Sequence, residues 1–183
     1  PYVRSLFLDG LLKPIEYDKW ELVTDDWVEV GIKTDPEAYY MRRLNGLMES
    51  ISEKIPSSES GYRDWLLYAR RWAELTVLSM EICDKLDAES LGQLQRLYGR
   101  VDSEFLEWVC NRYAGLYNFP ASPPVMVHHD PRFLAMQMES CVRDKVALIV
   151  IDGMALDQWL VIKDVLENQR PRYSFEENDV FAW

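Results

Sequence analysis

Most of the chemistry this chain can offer sits in one short stretch, Val146-Ala147-Leu148-Ile149-Val150-Ile151-Asp152-Gly153-Met154. Six consecutive apolar residues, rich in β-branched side chains, read as a central parallel strand with both faces covered. Asp152 then stands at the carboxyl end of that strand, just before a helical pattern. Open α/β sheets bind their ligands at such a place. A carboxylate there can hold a divalent cation or act as a nucleophile. Gly153 lets the backbone turn sharply and lets a ligand come close. The same pattern also fits receiver domains, haloacid-dehalogenase-like phosphatases, and sheets whose Asp only caps a helix or turn. A haloacid-dehalogenase pattern wants a second Asp two residues on, where this chain has Met154. A receiver domain wants an Asp pair upstream at the end of a first strand, and no such pair stands on a matching apolar run.

Other reactive residues are few. His128 and His129 are the only histidines. Adjacent histidines diverge on extended or helical backbone, so they read as a structural or exposed pair rather than as joint metal ligands. Asp157 follows Asp152 on the next helix. It can support a metal site from behind or simply favour the positive end of that helix. Trp159 falls on the buried face of the same helix. Cys83, Cys110 and Cys141 are widely spaced and show no C-x-x-C pattern. They read as reduced, mostly buried thiols of a cytoplasmic protein.

The elements that must position Asp152 follow from periodicity. Residues 1–34 are of mixed character, with a turn at Asp9-Gly10 and short apolar stretches around Trp20, Leu22, Trp27, Val28 and Val30. Residues 35–55 read as a helix, with Asp35 as N-cap and Pro36 at its first position. Tyr40, Leu44, Leu47, Met48, Ile51 and Ile55 form its apolar stripe. Residues 62–83 form a second helix, with Trp65, Tyr68, Ala69, Trp72, Leu75, Ser79 and Ile82 on one face. Leu66, Leu67, Val77 and Leu78 widen that face, which predicts cover on two sides. Residues 88–117 read as one helix seamed by Leu91, Leu94, Tyr98, Val101, Phe105, Trp108 and Tyr113. Gly92, Gly99 and Asp102 are its candidate bends. Phe119-Pro120 to Pro123-Pro124 form a stiff connector. A short helix over 131–141 with Asp130 as N-cap comes next. The strand over 146–151, a helix over 155–168, a break at Arg170-Pro171-Arg172 and a second strand region over 173–183 complete the chain. The predicted fold class is mainly α: a mostly helical domain over 1–124, then a strand–helix–strand start of an α/β domain over 125–183.

The text around Asp152 resembles the start of the PglZ domain, a branch of the alkaline-phosphatase superfamily known from BREX phage-defence systems. The resemblance rests on VALIVI followed by Asp152-Gly153-Met154-Ala155-Leu156-Asp157-Gln158-Trp159. It extends to His128-His129-Asp130-Pro131-Arg132-Phe133-Leu134 upstream and Asp179-Val180-Phe181-Ala182-Trp183 at the end. It covers roughly residues 125–183; over the helices only Arg71-Trp72-Ala73-Glu74-Leu75 is consistent with it. The resemblance implies an alkaline-phosphatase-like sheet and a metal-dependent phosphatase or nuclease. Asp152 would be one ligand of a divalent metal pair, zinc by that likeness, which stabilises the attacking and leaving oxygens of phosphoryl transfer. The Ser or Thr nucleophile and the remaining Asp and His ligands would fall beyond Trp183. The expectation is therefore a fragment that is inactive alone and holds no catalytic residue or cofactor of its own.

Charge limits the partners. With 20 Lys+Arg against 31 Asp+Glu the formal net charge is −11, and no basic stripe marks a phosphate-backbone grip. Nucleic acid or another phosphoester remains a substrate class for the whole protein. Other proteins of a phage-defence complex are the partners the resemblance implies. An alternative reading makes the helices a protein–protein interaction module. The sequence has no apolar run of membrane-spanning length, and no membrane partner is expected.

Overall fold

In the computed structural model, residues 2–8, 12, 15–16, 32–33, 36–140, 147–169 and 175–182 are described. They are mainly helical. The chain divides into two compact units, Pro1–Ile55 with Arg70–Gly99, and Pro56–Ala69 with Arg100–Trp183. The division passes through the two long helices rather than the proline-rich connector expected to part residues 1–124 from 125–183. The Pro120–Pro124 connector lies wholly within the second unit.

The first unit opens with α1 (Tyr2–Leu8) and a minimal parallel pairing of β1 (Ile15–Glu16) with β2 (Ile32–Lys33). The expected turn at Asp9-Gly10, the apolar stretches over 20–30 and the Asp35 cap lie outside the described residues. α2 spans Pro36–Glu53 and stops ahead of Pro56, as the pattern predicts. Its stripe is the core: Leu44 and Ile51 are fully buried, with Leu47 and Met48 beside them. α3 (Tyr62–Glu81) adds Ala73, Leu75 and Leu78, and α4 (Ala88–Arg112) adds Leu94 and Leu97. Trp72 meets Tyr98 edge-on, with ring centroids 4.5 Å apart. Arg43 of α2 donates to the Phe7 carbonyl of α1 and pairs with Glu74 of α3. One guanidinium thus ties three helices, with its fork presenting several donors at once. A 3₁₀ turn at Cys83–Lys85 leads to α4, where the Asp87 carboxylate accepts the backbone N–H of Ser90 at 2.7 Å. That is an N-cap bond, and it holds the Asp87 carboxyl below the ordinary carboxylate range.

The second unit is built on aromatic rings. Trp65, Tyr68, Val101, Trp108, Leu116, Val125 and Met126 are buried. Trp65 packs on Phe105 and Trp108 at centroid distances of 4.9 and 6.0 Å. Burial pushes the Tyr68 hydroxyl up, while the Arg100 charge pulls it the other way. The long helix runs through Gly92, Gly99 and Asp102 without a break, ends at Arg112, and tightens into a 3₁₀ segment over Tyr113–Asn118. A 3₁₀ turn at Val127–His129 precedes α5 (Asp130–Ser140), so Asp130 lies inside the helix rather than capping it. α6 spans Leu156–Gln169.

Several expectations change. Residues 147–151 adopt no regular structure and pair with no strand among the described residues; Val146, where the run begins, lies outside them. Leu148, Ile149, Val150 and Ile151 are 67, 80, 79 and 58% exposed, the opposite of a covered core strand. An apolar strand of this kind needs sheet neighbours and cover on both faces, and among the described residues it has neither. Residues 175–180 are likewise irregular, and Phe181 makes an isolated parallel bridge to Met126. The break at 170–172 is outside the described residues, as are Tyr173, Ser174 and Trp183. Leu67 is 68% exposed, so α3 is not covered on that flank. Cys83 and Cys110 are exposed free thiols rather than buried ones, and Cys141 is outside the described residues. No helix among the described residues is long and apolar enough to cross a membrane.

Leu44→Ala should cost about 2–5 kcal/mol, the range for emptying a closed aliphatic site, seen as a lowered urea midpoint. Asp87→Ala should lower the thermal midpoint at neutral pH. Because folding holds the Asp87 carboxyl low, its contribution is present above the unfolded pKa and disappears as pH falls through the folded one. Melting curves of the two proteins should therefore converge in acid.

Candidate functional site

Asp152 lies in a tight turn between the apolar run and α6, and it is exposed. The turn depends on Gly153, whose φ of +72° is a left-handed conformation that L side chains rarely adopt. Ala155 then donates its N–H to the Gln158 side chain at 3.0 Å. This is one arm of a capping box, the third helical residue reaching back to the residue before the helix. It fixes where α6 starts and so where the Asp152 turn ends. Asp157 occupies the first turn of α6, half-buried, where the helix dipole favours a negative charge.

α6 is anchored at one carboxylate. Glu177 accepts the Trp159 indole N–H at 2.7 Å on Oε1 and the Lys163 ammonium at 2.6 Å on Oε2. Trp159 is half-buried and turns its edge to Phe175, 6.2 Å away. Trp159 and Lys163 are four residues apart on one helix face, which the sequence does signal. Glu177 sits in irregular chain and had no periodic signature to find it by.

The histidines do structural work. His129 is 6% exposed, and its Nδ1 accepts the backbone N–H groups of Val125 at 3.2 Å and Met126 at 3.3 Å. His128 is exposed and stacks on Tyr117 with centroids 5.1 Å apart. Beside them, burial raises the Asp130 carboxyl, with His129 acting in the opposite direction. The backbone corner that His129 holds receives the end of the chain. Phe181 donates its N–H to the Val125 carbonyl and accepts from Val127, both at 2.9 Å.

Among the described residues, no three or more His, Cys, Asp or Glu side chains gather where they could hold a metal ion. Asp152 is thus a single accessible carboxylate, short of the three or four protein ligands that a zinc site takes. What the turn offers is one hard oxygen donor on an exposed loop that leads into α6.

His129→Phe keeps the bulk but orphans two buried backbone donors, at a cost of about 1–3 kcal/mol per donor. Urea denaturation should register this as a lowered midpoint. Compared with protein-family models, with curated proteins and with solved structures, the chain finds no match.

Proposed function

We propose that this chain belongs to a PglZ-like, metal-dependent phosphoesterase, and that Asp152 is one of its metal ligands. The reading assigns residues 125–183 to the opening strand–helix–strand of an alkaline-phosphatase-like sheet and the preceding helices to an accessory domain. The nucleophile and the other ligands are then supplied by sequence beyond Trp183. The substrate class is a phosphoester, nucleic acid included, and the context is phage defence in the cytoplasm together with other proteins of that system.

One observation carries this reading. An exposed carboxylate follows a run of four exposed aliphatic residues and precedes a capped helix. An Asp whose job was only to cap the helix would stand at the residue just before it, which here is Ala155, whereas Asp152 lies three positions earlier in an exposed turn. The placement of uncovered apolar surface also favours the catalytic-sheet reading over a helical interaction module. Leu148 to Ile151 form an unbroken run, and Val161, Ile162 and Val165 of α6 are 49, 40 and 45% exposed. On the long helices Leu67, Met80 and Leu91 are exposed singly and only Phe105 and Leu106 are adjacent, which is ordinary for a protein surface.

A divalent metal would supply charge to a developing phosphoryl transition state; what this chain contributes is one oxygen ligand and the turn that presents it. In a protein extended beyond residue 183, Asp152→Ala should lower zinc-dependent hydrolysis of a p-nitrophenyl phosphate ester by about a hundred-fold or more, in line with loss of a direct ligand. Asp157→Ala should change it far less. Wild-type rates in the Asp152 variant would overturn the assignment.

A further inference from the structure

Residues 175–182 have no regular structure, yet they are tied down at both ends. At one end Glu177 takes Trp159 and Lys163 of α6 on its two oxygens. At the other, Phe181 stacks on Trp108 of α4, with centroids 5.3 Å apart, and meets Tyr113 edge-on at 6.1 Å. Its backbone pairs on both sides with the Val125–Val127 corner. Between these anchors the Asn178 amide donates to the Pro124 carbonyl at 3.5 Å, and the Tyr113 hydroxyl bonds the Ala182 carbonyl.

We infer that residues 175–182 are a strap that fixes α6, and with it the Asp152 turn, to the aromatic face of α4, with Glu177 and Phe181 as its positioning residues. The physical basis is unequal anchoring. No residue of α6 is fully buried, and Leu156, Trp159, Leu160 and Leu166 are only half-buried, so packing holds this helix incompletely, and short helices with incomplete packing are marginal in water. Two charge-assisted or indole bonds to one carboxylate then matter more than they would on a well-packed helix. Phe181 in turn borrows its position from Trp108, which is 1% exposed. A disturbance at Phe181 is thus transmitted to α6 through Glu177. The functional consequence, that the strap sets where Asp152 is held, rests on the metal-ligand reading above; the mechanical link does not.

Hydrogen exchange of this chain, read by mass spectrometry, tests the link without any metal. Glu177→Ala should raise exchange of the amides over 153–160 by about ten-fold or more, the signature of easier local opening, with α2 amides unchanged. Phe181→Ala should do the same at 153–160, although its ring packs on α4. A merely local role for Phe181 would speed only the amides near Trp108 and the Val125–Val127 corner, and that result overturns the strap. Should Phe181→Ala fail to fold, Glu177→Gln decides. It spares the aromatic packing and keeps an acceptor for Trp159 but loses the Lys163 ion pair, so it should give a smaller rise confined to 153–160. Wild-type exchange at 153–160 in Glu177→Gln, or a uniform rise that includes α2, overturns the inference. A negative hydrolysis result would leave the strap intact, and unchanged exchange would leave the Asp152 assignment intact.

Discussion

The Trp108 indole is 1% exposed, and its single polar group donates to the Ser60 carbonyl at 2.9 Å. A ring of that size removes a large apolar area from water, and satisfying the N–H spares the penalty of a buried donor. The second unit is arranged around this fact. Trp65 and Phe105 pack against the ring, Phe181 stacks on it, and the loop over 56–61 closes down through the Ser60 bond. Arg112 reinforces that loop by pairing with Glu59, though both groups are well exposed and such pairs contribute little. Because Phe181 depends on Trp108, and the Val125–Val127 corner depends on Phe181 and His129, the chain's irregular parts are held by a few aromatic and buried backbone contacts.

How legible this was in the sequence varies by element. α2 was readable because its apolar residues repeat every three or four positions and Pro56 stops it; Leu44, Leu47, Met48 and Ile51 are all core. α6 was readable for the same reason. Phe105 sat on the predicted seam of α4 yet is 38% exposed, while Leu97, left off the seam, is buried. Periodicity gives a face, and only the neighbours decide how wide the buried stripe becomes. Composition and hydropathy marked 146–151 as a buried strand. Burial, however, is a property of a strand plus its sheet, and a run of apolar residues cannot say whether the sheet is present.

The candidate site divides the same way. Asp152 and Gly153 were legible from type and order, since a left-handed turn after an apolar run calls for glycine. Asp157 takes the helix-dipole position that its spacing allowed. Glu177 was not legible: it joins Trp159 and Lys163 across sequence separations of 18 and 14 residues, through chain with no repeat to follow. His129 was legible only as a residue type. Its role, accepting two backbone N–H groups, depends on a corner that no local pattern encodes.

The bare aliphatic run has a bearing on how the molecule behaves at high concentration. Residues 146–151 combine β-branched side chains with no charge and no proline, the composition from which stacked, interdigitated strands of separate molecules are built. Asp152 sits at one end of that run as a gatekeeper, and a net charge of −11 keeps copies apart over a distance set by the ionic strength. Colloidal behaviour therefore hinges on a balance between the exposed stretch over 147–151 and long-range repulsion. Salt, which shortens the reach of the repulsion while leaving the apolar run untouched, tips that balance toward precipitation.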